Sequence, residues 1–155
     1  MRRAALAALL LALAAGCGSG DEDSTPVACL NGARPYLEAL ESAPRPVRLD
    51  SGVAISDCLV ENQSAADIER VGLTLLRVST DLNQAARQDP GGDPPLQLGY
   101  LIGALQTAAE KTGGIHAELV RRLEAAALFS PAGKPPPPPF DQTYMEGFDA
   151  GREKG

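Results

Sequence analysis

One stretch limits the folds open to this chain more than any other: SAADIERVGLTLLRVSTDLNQAARQ, residues 64 to 88. Ile68, Val71, Leu75, Val78, Leu82 and Ala85 recur at alternating steps of three and four residues, the repeat that lines side chains along one face of an α-helix. Ser64 and Asp67 stand at the S-x-x-D spacing of a capping box. There the serine oxygen takes an orphan backbone N–H and the acid sits at the positive helix end. DPGGDPP, residues 89 to 95, stops the pattern, because proline and glycine break helical geometry. A helix of about 24 residues with one apolar stripe draws most of its stability from packing, so the chain must supply other apolar faces.

It supplies three. In CLNGARPYLEALES, Leu30, Ala33, Leu37 and Leu40 share a face, and Pro35 suits a first turn, which places the helix start near Arg34. PLQLGYLIGALQTAAEKT carries Leu98, Leu101, Leu105 and Ala108 on one face and is punctuated by Gly113 and Gly114. IHAELVRRLEAAALF predicts a further helix with Ile115, Leu119, Leu123 and Ala126 inward and a Glu118–Arg122 pair on the wet side. Residues 43 to 52, APRPVRLDSG, read as an extended connector, and ISDCLVENQ as a short turn of helix around Cys58 that begins at Ser56. Strand signals are poor throughout. Tryptophan is absent and there are six aromatic residues, so the core is built mainly of leucine, alanine, valine and isoleucine. The expected fold is all-α, about four helices in a bundle-like array over residues 28 to 130.

Beyond residue 130 the composition changes. Residues 131 to 139 form a proline-rich linker, and Pro135 to Pro139 favour a polyproline II rod of roughly 15 Å. Residues 140 to 155 predict a short amphipathic helix on which Phe140, Tyr144 and Phe148 form a ridge at i, i+4, i+8. Asp141 is the expected cap, with Phe140 and Met145 as a hydrophobic staple. The ridge has two uses open to it: folding back over the bundle, or binding a partner protein as a helix in a groove. Gly72, Gly99 and Gly103 lie inside predicted helices, where glycine costs about 1 kcal/mol against alanine. Close helix approach offsets that cost, or a groove where a ligand meets backbone.

The amino terminus has its own order. Arg2 and Arg3 precede a run from Ala4 to Ala15, the small residues Ala14, Ala15 and Gly16 follow, and Cys17 stands directly after them. This is the layout of a secretory signal, and the run falls short of the ~20 apolar residues that span a bilayer. LAAGC resembles the lipobox of bacterial lipoproteins. The resemblance covers about the first 17 residues. It implies a signal peptide over 1–16, cleavage between Gly16 and Cys17, and a diacylglyceryl group on the Cys17 sulfur with acylation of the new amine. One position departs from the common pattern, Ala14 where leucine is usual. Two or more acyl chains hold a soluble domain firmly, where one does not, and residues 17 to 27 become a hydrated tether. The paired arginines lack the context of a twin-arginine signal.

With Cys17 assigned to lipid and the chain exported to an oxidising compartment, Cys29 and Cys58 are expected to form a disulfide. It closes a loop of about 30 residues and contributes roughly 3 to 4 kcal/mol in the chain-entropy model. The rival, a metal or redox pair, has neither CxxC nor zinc spacing in its favour, and the chain holds a single histidine, His116.

Signals for chemistry are sparse. The net charge of −6 becomes −8 without the leader arginines, 12 basic against 20 acidic residues, and an acidic surface repels nucleic acid. His116 has Leu119 and Val120 as helix neighbours and reads as a partly exposed side chain without a catalytic partner. Ser56, Ser64 and Ser79 lie outside any G-x-S-x-G turn, and DPGGDPP lacks the lysine of a phosphate loop. Asp57 with Glu61 and Asp67 with Glu69 are carboxylate pairs that read as caps and solvated charges. No cofactor or metal is expected. The leading expectation is a lipid-anchored, non-enzymatic helical module on the extracytoplasmic side of a bacterial envelope membrane, acting in binding or assembly. The alternatives are an envelope hydrolase using cleft carboxylates and a carrier of a small apolar ligand, which requires an apolar pocket open to water.

Overall fold

The computed structural model describes residues 23–155. The expected signal peptide, Gly16, Cys17 and the tether up to residue 22 lie outside the described residues, whereas residues 23–27 of the expected tether are folded onto the domain, with Asp23 bonded to Asn62 and Thr25 buried. The chain is all-α: α1 (Ala33–Leu40), α2 (Ala65–Gln88), α3 (Asp93–Thr112), α4 (Gly114–Ala127) and α5 (Phe140–Lys154), with short 3-10 turns at Val27–Leu30, Asp50–Gly52, Ile55–Cys58 and Pro131–Gly133. Pairing between extended segments is limited to two isolated bridges among the described residues, Asp23 with Gln63 and Arg48 with Ala54.

α2 starts where the capping signal places it. The Ser64 hydroxyl accepts the Asp67 N–H at 3.2 Å, and Val71, Leu75, Val78 and Leu82 are buried. The stripe then departs from the expected one: Ala86 is buried instead of Ala85, Ile68 is half-buried, and Ser79 and Asn83 are buried beside the leucines. Asn83 explains its own burial, since its side-chain amide donates to Ala127 O at 2.5 Å and to Ala126 O at 2.8 Å at the end of α4. DPGGDPP turns the chain within a few residues, and Pro94 and Pro95 occupy the first turn of α3, where a missing N–H costs nothing. Gly113 at φ 63° ends α3 and its N–H bonds to Ala109 O at 2.7 Å, so α4 leaves in the opposite direction almost at once.

α3 is the centre of the molecule. Its expected face, Leu98, Leu101, Leu105 and Ala108, is buried, and so is every other residue from Leu98 to Leu105, Tyr100, Ile102 and Ala104 included. A helix apolar all round needs cover on all sides. α2 and α4 pack on one side, and α5 packs on the opposite face.

The α3–α5 contact rests on four glycines. A Cβ on Gly99 or Gly103 would collide with the main-chain carbonyl of Tyr144 or Phe148; a Cβ on Gly147 or Gly151 would collide with that of Leu96 or Tyr100. Each helix thus presents two glycines four residues apart to the other's backbone, the small-residue arrangement that lets helix axes approach closely. The contacts advance in step, Leu96 to Gly147 and Tyr100 to Gly151, so the two helices run parallel. Polar ties finish the joint: Arg152 donates to Glu110 at 2.7 Å and to Gln106 at 2.9 Å, and Arg48 and Ser56 donate to the Lys154 and Gly155 carbonyls.

The Cys29–Cys58 disulfide is formed, with both residues buried, and it ties the 3-10 turn before α1 to the one before α2. Tyr36 of α1 covers it, donating to Cys29 O at 3.1 Å. The connector over 43–52 is only partly extended: residues 43–45 continue a turn that follows α1, with the Arg45 N–H on Ser42 O at 3.0 Å, and Asp50–Gly52 form a 3-10 turn. It buries Val47 and Leu49 and gives the Val47 N–H to the Tyr100 hydroxyl at 3.0 Å.

Three expectations need correction. In α4 the buried residues are His116, Val120, Leu123 and Ala127, while Ile115 is 56% exposed; the buried face is displaced by one residue from the expected one, and α4 packs on both α2 and α3. Asp141 is not the cap of α5: the N-cap position is Pro139 and no side chain caps it. The expected staple does not form, since Phe140 is buried while Met145 is exposed. The proline run ends in a turn at residues 138–139, where Pro139 lies against Gly91, and the chain returns to the bundle.

Candidate binding groove

α2 and α4 run side by side in the same direction, with Gly72 opposite Leu119 near one end and Asn83 opposite Ala126 near the other. The one-residue rotation of α4 brings His116 and Val120 inward and leaves Ile115 outside, on the seam with α2. Leu73 and Leu76 lie off the buried stripe of α2 and face outward, 62% and 41% exposed. Between them the two helices leave a groove of about 240 Å³. Gly72, Leu119 and Leu123 lie deep in it, and Leu73, Leu76 and Ile115 stand at its edges. A Cβ on Gly72 would come 3.3 Å from the Leu119 Cδ1, so the glycine leaves room between the two helices at this point.

Two acids border the groove, Glu69 and Glu118. Glu118 accepts from Arg121 Nη2 at 2.8 Å and from Arg122 Nε at 2.9 Å, and these guanidinium groups hold its carboxyl below the usual carboxylate range. A general acid needs a shift in the other direction. A second hollow, of about 330 Å³, lies at the far end of the same pair of helices, between Asn83, Arg87 and Phe129.

His116 is buried, not partly exposed. Its Nε2 is 3.0 Å from Gln63 Oε1 and its Nδ1 is 2.9 Å from the Thr112 hydroxyl. The Gln63 amide nitrogen donates to Thr25 Oγ1 at 2.8 Å and to Cys58 O at 3.1 Å. That orientation leaves the amide oxygen as the acceptor of the imidazole Nε2–H. Burial pushes the pKa of His116 down. Its hydrogen-bond partners include no carboxylate, serine or thiol, and the network does structural work: it fastens the segment around Thr25 and the disulfide loop to the junction of α3 and α4.

The other sequence candidates fall as follows. Cys29 and Cys58 are brought together. Gly99 and Gly103 receive the backbone of α5, whereas Gly72 lies in the groove. Phe140 and Tyr144 are buried and Phe148 is half-buried; their rings stack at 5.8 and 6.3 Å and the ridge faces the bundle. Asp57 accepts the Ala54 N–H at 3.1 Å, a local cap. Gly16 and Cys17 lie outside the described residues. Among the described residues no three potential metal ligands cluster, and no helix is long and apolar enough to cross a membrane. The groove's rim was missed in the sequence, although Leu73 and Leu76 widen the apolar run VGLTLL beyond one stripe. No family model, curated protein or solved structure matches the chain.

Proposed function

We propose that this protein is a lipid-anchored, non-enzymatic binding module of the bacterial cell envelope, held by Cys17 on the extracytoplasmic side, and that the groove between α2 and α4 is its binding face. The observation that carries the binding reading is the groove itself: leucine and isoleucine side chains stand open to water around Gly72, where the other large apolar side chains among the described residues are buried or half-buried except Val27, Leu128, Phe129 and Met145. The disulfide accords with export to an oxidising compartment. A carrier of a small apolar ligand is the second reading, favoured by the same groove, which is apolar and open to water. A hydrolase is disfavoured, because Glu118 is committed to two arginines and His116 to an amide and a hydroxyl.

Two variants test the two halves. Cys17→Ser is expected to move the chain from the membrane fraction to the soluble extracytoplasmic fraction, and equal membrane retention refutes the anchor. Leu73→Glu combined with Ile115→Glu is expected to reduce binding of an environment-sensitive apolar dye to the folded protein by several-fold. Unchanged dye binding removes the groove from the proposal.

A further inference from the structure

We infer that the occupant of the α2/α4 groove is the bilayer that carries the anchor, so that the domain lies with this face on the membrane as a second point of attachment. The inference rests on the lipid anchor at Cys17 and adds to it the orientation of the domain.

The described chain begins at Asp23, which is tied to the start of α2: its carboxylate accepts the Asn62 N–H at 3.2 Å and its own N–H donates to Asn62 O at 3.2 Å. Gln63, the next residue, hydrogen-bonds both Thr25 and His116, and Ile115 adjoins His116. The point where the tether joins the domain therefore sits at the amino-terminal ends of both α2 and α4, and the groove lies along the first three turns of each. Six residue steps separate Cys17 from Asp23, at most about 20 Å of chain. A tether that short keeps this end of the molecule next to the headgroups.

Leu73 and Ile115 are more than half exposed and Leu76 is 41% exposed, on a surface within reach of the acyl boundary. Apolar side chains at that depth gain from burial in the interface. Three such residues are few beside the roughly 20–30 per side of a standard protein interface. A tethered membrane contact needs far less, because the anchor has already met the entropic cost of association.

The charged residues that line the groove are Glu69, Glu118 and Arg122, and Glu118 is paired with both Arg121 and Arg122. With those pairs the face is near neutral in a chain of net charge −6, so it lacks the large acidic excess that would repel anionic lipid.

The chain contains no tryptophan, so a single introduced one reports without background. Leu73→Trp and Ile115→Trp place it at two exposed rim positions, and Met145→Trp places it on α5, across α3, at a residue 48% exposed. Each lipidated full-length variant is reconstituted in phosphatidylcholine–phosphatidylglycerol vesicles whose acyl chains are brominated near the headgroup. The expected result is blue-shifted emission and at least twofold stronger quenching at positions 73 and 115 than at 145. Equal quenching at all three in a chain that sediments with the vesicles overturns the orientation and leaves the anchor standing. A chain that does not sediment overturns the anchor and the orientation with it. A blue shift at 73 in vesicle-free Cys17→Ser protein that grows with protein concentration assigns the face to a second copy, and also overturns the inference.

Discussion

Gly99, Gly103 and Gly72 look alike in the sequence, each a glycine inside a helix, and the structure gives them different tasks. Gly99 and Gly103 face main-chain carbonyls of α5, which cannot move without moving the helix, whereas Gly72 faces the end of the Leu119 side chain at 3.3 Å. Gly99→Ala is therefore expected to cost about 3 kcal/mol or more by forcing α5 away. Gly72→Ala is expected to lie between neutral and about 1 kcal/mol stabilising, since Leu119 can shift and alanine is the better helix former. Denaturant unfolding of both variants checks the pair; similar losses would show that the groove at Gly72 is as rigid as the α3–α5 joint. The sequence made the three positions legible as costly, but the partner of each was not, because a helix-period pattern records which face is turned in and not what meets it.

At the level of elements, α5 is part of the core and not an appendage. It covers the face of α3 opposite α2 and α4, and Phe140, Tyr144 and Ala150 are buried in doing so. Phe140→Ala is expected to cost roughly 3 to 5 kcal/mol and to lower the melting temperature by roughly 10 °C or more, read by circular dichroism. A shift of a degree or two would mean that α5 is loosely held. The sequence carried part of this: LGYLIGAL in α3 has no polar face, which by itself calls for cover on both sides, and the Phe140, Tyr144, Phe148 spacing offered a helix able to provide it. The register of α4 was less legible. Ile115, Leu119, Leu123 and Ala126 match the helical repeat as well as His116, Val120, Leu123 and Ala127 do once a histidine is allowed inward. The burial of His116 depends on Gln63, more than fifty residues earlier in the chain.

At the scale of the whole molecule, that histidine joins parts distant in sequence: the segment at Thr25, the disulfide loop through Cys58, the end of α3 and the start of α4. Burial lowers its pKa in the folded state, so on acidification the unfolded chain takes the proton first. The stability it contributes is complete above its unfolded value of about 6.5 and is lost as the pH falls from there through the folded value, by up to about 1.4 kcal/mol per pH unit. His116→Gln is expected to remove that part of the pH dependence between pH 7.5 and 5; parallel melting curves for the two proteins would show that His116 does not titrate with unfolding. The sequence by itself determined the helical class, the limits of α2 and the punctuation between helices, and made Cys29 with Cys58 the expected pair, because caps, prolines, glycines and apolar periodicity act locally. Only the tertiary structure decided that α5 seals α3, that α4 turns His116 inward, and that Leu73, Leu76 and Ile115 are left around an open groove. Those outcomes depend on which surfaces meet across long separations, and the same apolar pattern is compatible with more than one such meeting until the glycines of α3 and α5 and the amide of Gln63 find their partners.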